Sequence, residues 1–225
     1  VLYSGEIDNS ITQFSSVTFG RISAEANGVI LDCTNANGRM LTQMFSADEK
    51  GNYDIYPKNA NEKNAVNPFL RDAAAAFLST DINNDGIIAI PSASLLPALP
   101  SDMSYDSTSY TVSWVQFNGT EYTEKFKTLL NTIDGYYWEP PQKLDGKITA
   151  VYDSRFHTVT YFSVKYDDEN QPLMGSKLFS IRVFNSSTWE QWDKAGGYEK
   201  ITEKGDSVYA ISDFSSDPEY RDVLY

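Results

Sequence analysis

The chain has 225 residues and a mass of 25.3 kDa, enough for one large domain or two small ones with cores of their own. Its 31 acidic residues against 18 basic ones leave a net charge of −13, which repels a phosphate backbone and excludes nucleic acid as a natural partner. Hydrophobic residues at 41% and aromatic residues at 14% exclude a disordered chain, and neither half carries the basic face that an anionic membrane surface attracts.

The first sixty residues read as short strands. Ile11 to Ile22 alternates loosely. Asn27-Gly28 signals a turn before the buried-looking run Val29–Cys33. Asn37-Gly38 signals a second turn before Met40–Phe45, and Lys50-Gly51-Asn52 a third before Tyr53–Pro57. Such spacing predicts an antiparallel meander. Residues 58–66 read as surface loop. A helix is predicted from Asn67 to Ser79: Asn67 suits the cap, Pro68 the first turn, and four alanines from Ala73 to Ala76 the interior. Pro91, Pro97 and Pro100 then break regular structure and place a boundary near residue 100. Beyond it come Tyr110–Phe117, an ambiguous segment Tyr122–Ile133, Tyr136–Trp138, Ile148–Tyr152, Thr158–Tyr166 and Leu178–Phe184 as strands. A short helix Trp189–Lys194 and a last hairpin, Tyr198–Thr202 with Val208–Ile211, complete the chain.

The segment from Asp81 to Ser92 carries the chemistry. Asp81, Asn83 and Asp85 stand at loop positions 1, 3 and 5, Gly86 at 6, and Ile87 at 7. A hard cation such as Ca²⁺ takes six to eight oxygens at about 2.3–2.6 Å, and alternate residues of a curled loop can aim theirs inward together. The three side chains and the Ile87 carbonyl are the expected ligands. Ala89 at position 9 and Ser92 at position 12 offer no bidentate carboxylate, so water, Ser92 or a carboxylate such as Asp72 would complete the shell. Two carboxylates place the affinity in the weak range of roughly 10⁻⁴–10⁻³ M. The competing reading is an Asx-rich turn whose oxygens bond their own backbone.

Helix followed by Asp81-Ile-Asn-Asn-Asp-Gly-Ile-Ile-Ala-Ile-Pro91 resembles the D-I-N-x-D-G-x-I-x-I-P element of Firmicutes cell-surface lipoproteins with degenerate FG-GAP (VCBS-like) repeats. Ser113-Trp114, Gly135-Tyr136-Tyr137 before Pro140-Pro141, Gly146-Lys-Ile-Thr149 and Leu178–Phe184 agree with it over roughly residues 10–212. The ninth loop position of that family is often acidic, and Ala89 departs from it. The resemblance implies a propeller-blade-like module before residue 100, a separate α+β module after 105, and a lipid-anchored or secreted location.

Other constellations point to structure. Tyr136-Tyr137-Trp138 and the pair Trp189 and Trp192 are candidate sugar platforms, but large aromatics more often fill cores. No GxSxG, Walker A, HExxH or CxxC motif is present. Cys33 reads as a buried structural thiol, and His157, the single histidine, as a strand-edge surface residue rather than a base. The start at Val1 without a signal peptide reads as a processed or truncated product, and no apolar run approaches the ~18–20 residues of a spanning helix.

These readings combine into a mainly β chain, α+β overall. A β-rich propeller-like module over 1–100, with helix and acidic loop, precedes an α+β module over 105–225 with an antiparallel sheet. The expected function is a non-catalytic extracellular surface domain with a weak structural Ca²⁺ held by Asp81, Asn83, Asp85 and Ile87, and with a protein or glycan partner. A carbohydrate- or cell-wall-binding module using exposed aromatics, and a hydrolase using a carboxylate pair, are the alternatives.

Overall fold

The computed structural model describes residues 6–47, 53–58, 67–118, 121–191, 197–213 and 220. It is mainly β, with thirteen strands arranged in three sheets among the described residues. Contacts divide the chain into two compact units: Val1–Ser94 with Val112–Thr128, and Leu95–Thr111 with Leu129–Tyr225. The chain therefore passes between units three times, where a single boundary near residue 100 was expected.

The first unit opens with a four-stranded antiparallel meander, β1 (Ile11–Arg21), β2 (Asn27–Asn35), β3 (Met40–Ala47) and β4 (Tyr53–Tyr56). Asn37-Gly38 makes its turn as predicted, with Gly38 at φ 75° and the Asn35 carboxamide accepting from the N–H groups of Asn37 and Arg39. Asn27-Gly28 does not turn: both lie inside β2, opposite Arg21 and Gly20. The β1–β2 connection comes earlier, where Ser23 Oγ accepts from the N–H groups of Glu25 and Ala26. Glycine is required at 28 for close approach, because an added Cβ would collide with the Phe45 carbonyl and come within 2.9 Å of Ile22. The Lys50-Gly51-Asn52 turn lies outside the described residues.

Ile30, Met44 and Tyr56 of the meander pack with Ile22, Phe69, Ile88, Ile90 and Phe117 into the core of this unit. Phe117 meets Tyr56 at 4.4 Å and Tyr122 at 5.3 Å between ring centroids.

The helix expected over Asn67–Ser79 is not formed. Only a 3₁₀ turn, Ala73–Ala75, interrupts an irregular segment. The reason is Arg71. Its backbone bridges Met40 in both directions, at 2.8 and 2.9 Å. Its buried guanidinium needs acceptors for five N–H donors, and the segment wraps around it to supply them. Nε and Nη2 donate to the Phe77 carbonyl, Nη1 to the Phe69 carbonyl and Thr42 Oγ1, and Nη2 also to Asp32 Oδ1. In a helix the Phe69 carbonyl would accept from the backbone four residues on. Tertiary demand overrides alanine propensity here.

The strands β5 (Ile90–Leu95), β6 (Tyr110–Phe117), β7 (Tyr122–Asn131) and β8 (Tyr136–Trp138) form a second sheet in that order. β5 contains Pro91, where proline was expected to exclude a strand. An edge position explains it, since proline's missing N–H costs nothing where no neighbour waits for it. The ambiguous segment Tyr122–Ile133 is mostly strand.

In the second unit, five strands pair antiparallel in the order β12-β13-β11-β10-β9: β9 (Ile148–Asp153), β10 (Thr158–Tyr166), β11 (Pro172–Asn185), β12 (Glu199–Lys204) and β13 (Ser207–Asp213). Its core gathers Leu129, Ile148, Val159, Tyr161, Leu178 and Phe179. The α-helix α1 (Ser186–Gln191) has six residues. It coincides in part with the predicted Trp189–Lys194, whose remainder lies outside the described residues. No helix among the described residues is long and apolar enough to cross a membrane.

Candidate functional site

The acidic loop is closed at its base by a two-way bridge between Thr80 and Ala89, at 3.1 and 2.9 Å. Ile88 anchors it: its side chain enters the core, and its N–H donates to the Arg21 carbonyl at 2.8 Å. Between these supports the backbone curls through two left-handed residues, Asn84 at φ 57° and Gly86 at φ 82°. Asparagine and glycine adopt that conformation at low cost.

The curl turns the predicted ligands on one another. Asp81 Oδ1 accepts from the Asp85 N–H at 3.0 Å and Oδ2 from the Gly86 N–H at 2.9 Å. Asp85 Oδ1 accepts from the Ile87 N–H at 2.8 Å. Asn83 Nδ2 donates to Asp85 Oδ2 at 3.0 Å. Asn83 and Asp85 are thereby joined side chain to side chain, Ile87 meets Asp85 through its N–H and not through the carbonyl expected as a ligand, and Asp81 is tied to the loop through the N–H groups of Asp85 and Gly86. Asp72, considered as a further ligand, is paired with Arg39 at 3.1 Å.

Gln116 joins the loop from β6. Its Nε2 donates to Asp85 Oδ2 at 2.9 Å and faces the Ile87 carbonyl at 3.4 Å. Sequence reasoning missed it, although a signal was available. Tyr110, Val112, Trp114 and Gln116 are the buried alternate positions of β6, and a glutamine closing such a series must find a polar partner. Burial acts to raise the Asp85 pKa, but hydrogen bonds from Gln116, Asn83 and Ile87, together with the charge of Lys125, hold it below its ordinary value.

The carboxylates of Asp81 and Asp85 accept from the loop's own backbone N–H groups, as in an Asx turn. Among the described residues no three His, Cys, Asp or Glu side chains converge as a metal group. A cation here would therefore depend on amide and carbonyl oxygens beside the carboxylates of Asp81 and Asp85.

A second cluster lies in the other unit. His157 sits in the β9–β10 turn at φ 48°, and its Nδ1 is 2.6 Å from Asp134 Oδ1. The imidazole side chain is 57% exposed and the carboxylate 4%. Asn131 Nδ2 donates to Asp134 Oδ2 at 2.8 Å, and the Tyr209 hydroxyl to the Asp134 carbonyl at 3.1 Å. His157 is a surface residue, as read from sequence, but one oriented by a buried acid. The Asp134-Gly135 turn gave no hint of that pairing. The phenol of Tyr152 is the one hydroxyl that approaches the ring among the described residues, at 3.5 Å. Burial, then hydrogen bonding to Asp134, raises the pKa of that phenol.

The aromatic platforms are largely consumed by packing. Trp138 meets Tyr161 at 5.3 Å and Phe179 at 5.5 Å, and Trp189 meets Phe184 at 5.2 Å. Tyr137 alone of its triplet is exposed. Trp192 lies outside the described residues. Comparison with known protein families, with curated proteins and with solved structures finds no match to this chain.

Proposed function

We propose that this chain is a non-catalytic, cell-surface β module of a secreted or lipid-anchored protein, and that its Asp81–Ile87 loop takes up a structural divalent cation, Ca²⁺ being the best fit to an all-oxygen set. The observation that carries this reading is the chain of hydrogen bonds that joins Asn83 to Asp85, Asp85 to Gln116 and Gln116 to the Ile87 carbonyl. Turning the two carboxamides by 180° exchanges their donors for acceptors. The same side chains then present oxygens to a cation that replaces the amide hydrogens. With Asp81 and solvent, these groups reach the count that Ca²⁺ takes. The ion would cross-link the loop to β6 and pin the chain on either side of Ile88.

The resemblance to FG-GAP-bearing surface lipoproteins supports the location and a blade-like role for β1–β4. A protein or glycan is the partner class that follows. Calorimetric titration of the apo chain with CaCl₂ tests the ion. One site with a dissociation constant of roughly 10⁻⁴–10⁻³ M is expected, weakened several-fold by Gln116→Ala. Absence of saturable heat, or a site that Asp85→Asn leaves unchanged, overturns the reading.

A further inference from the structure

We draw no further inference here: the strongest candidate, the exposed His157 imidazole of the β9–β10 turn held by the buried Asp134 carboxylate of the β7–β8 turn, is joined by no third metal-binding side chain among the described residues, and nothing in the structure shows what that imidazole would bind.

Discussion

Replacing Arg71 by methionine is the sharpest perturbation the first unit offers. The Arg71 side chain is 1% exposed and that of Asp32 0%. Asp32 Oδ1 accepts from Arg71 Nη2 at 2.9 Å, Thr42 Oγ1 at 2.6 Å and Ser79 Oγ at 3.0 Å, and Oδ2 accepts from the Ser79 N–H at 2.8 Å. All five guanidinium hydrogens are used. Arg71→Met leaves the Asp32 carboxylate charged, buried and without its counter-ion, a loss of about 3–5 kcal/mol. It also strips the Arg71 donors from the Phe69 and Phe77 carbonyls, so the upper end of that range applies. Against a typical domain stability of about 5–15 kcal/mol, this is a large fraction. Urea unfolding followed by tryptophan fluorescence measures it, since Trp114 is buried in the same unit. With a slope of about 1–3 kcal/mol per M, the midpoint should fall by more than about 1 M. Asp32→Asn should cost a similar amount, and the double variant less than the sum, because the two residues share one network. A loss under about 1 kcal/mol for Arg71→Met would refute the view that the segment folds around this ion pair.

Three further outcomes follow from particular contacts. Asp85 has its pKa held below the ordinary 3.8, so its share of stability is complete above that value and disappears as pH falls through the lower folded value. Asp85→Asn should therefore flatten the acid limb of a melting-temperature profile below about pH 4 by a small amount, given the exposure of the side chain; parallel limbs for the two proteins would contradict this. Gly28→Ala should destabilise by more than the ~1 kcal/mol of an ordinary substitution, because the new methyl meets the Phe45 carbonyl, and a neutral effect in urea unfolding would count against the close approach. Burial, aided by the charges of Asp32 and Asp8, pushes the Cys33 thiol from 9.0 up to about 11. The unfolded thiol then ionises first, so stability should decline as pH climbs from 9.0 toward that value. Native protein should also resist a thiol reagent at about pH 8, and rapid labelling before unfolding would disprove the burial.

The sequence revealed most where local chemistry decides. Alternation and turn residues located nearly every strand of the second unit, because period-2 patterns and Asp-Gly turns act within a few residues. The acidic loop was visible for the same reason, its side chains binding backbone two to five residues away. Long-range demands were invisible. Alanines Ala73–Ala76 read as helix, while the segment's form is set by an ion pair to Asp32, 39 residues distant. Gly28 read as a turn, while its role is contact with a strand yet to come. Gln116 and the Asp134–His157 pair join residues 31 and 23 positions apart, and neither spacing has a local signature.

Thermal unfolding with 10 mM CaCl₂ against excess chelator bears most directly on the cation loop. A ligand that binds only the native state stabilises it by RT ln(1 + [L]/Kd), about 1.4–2.7 kcal/mol at roughly ten to a hundred times the dissociation constant. The melting temperature should then rise by roughly 3–10 °C, and the rise should vanish in Asp81→Asn/Asp85→Asn. Coincident curves with calcium and chelator would mean that the Asp81–Ile87 loop is held by its own hydrogen bonds alone.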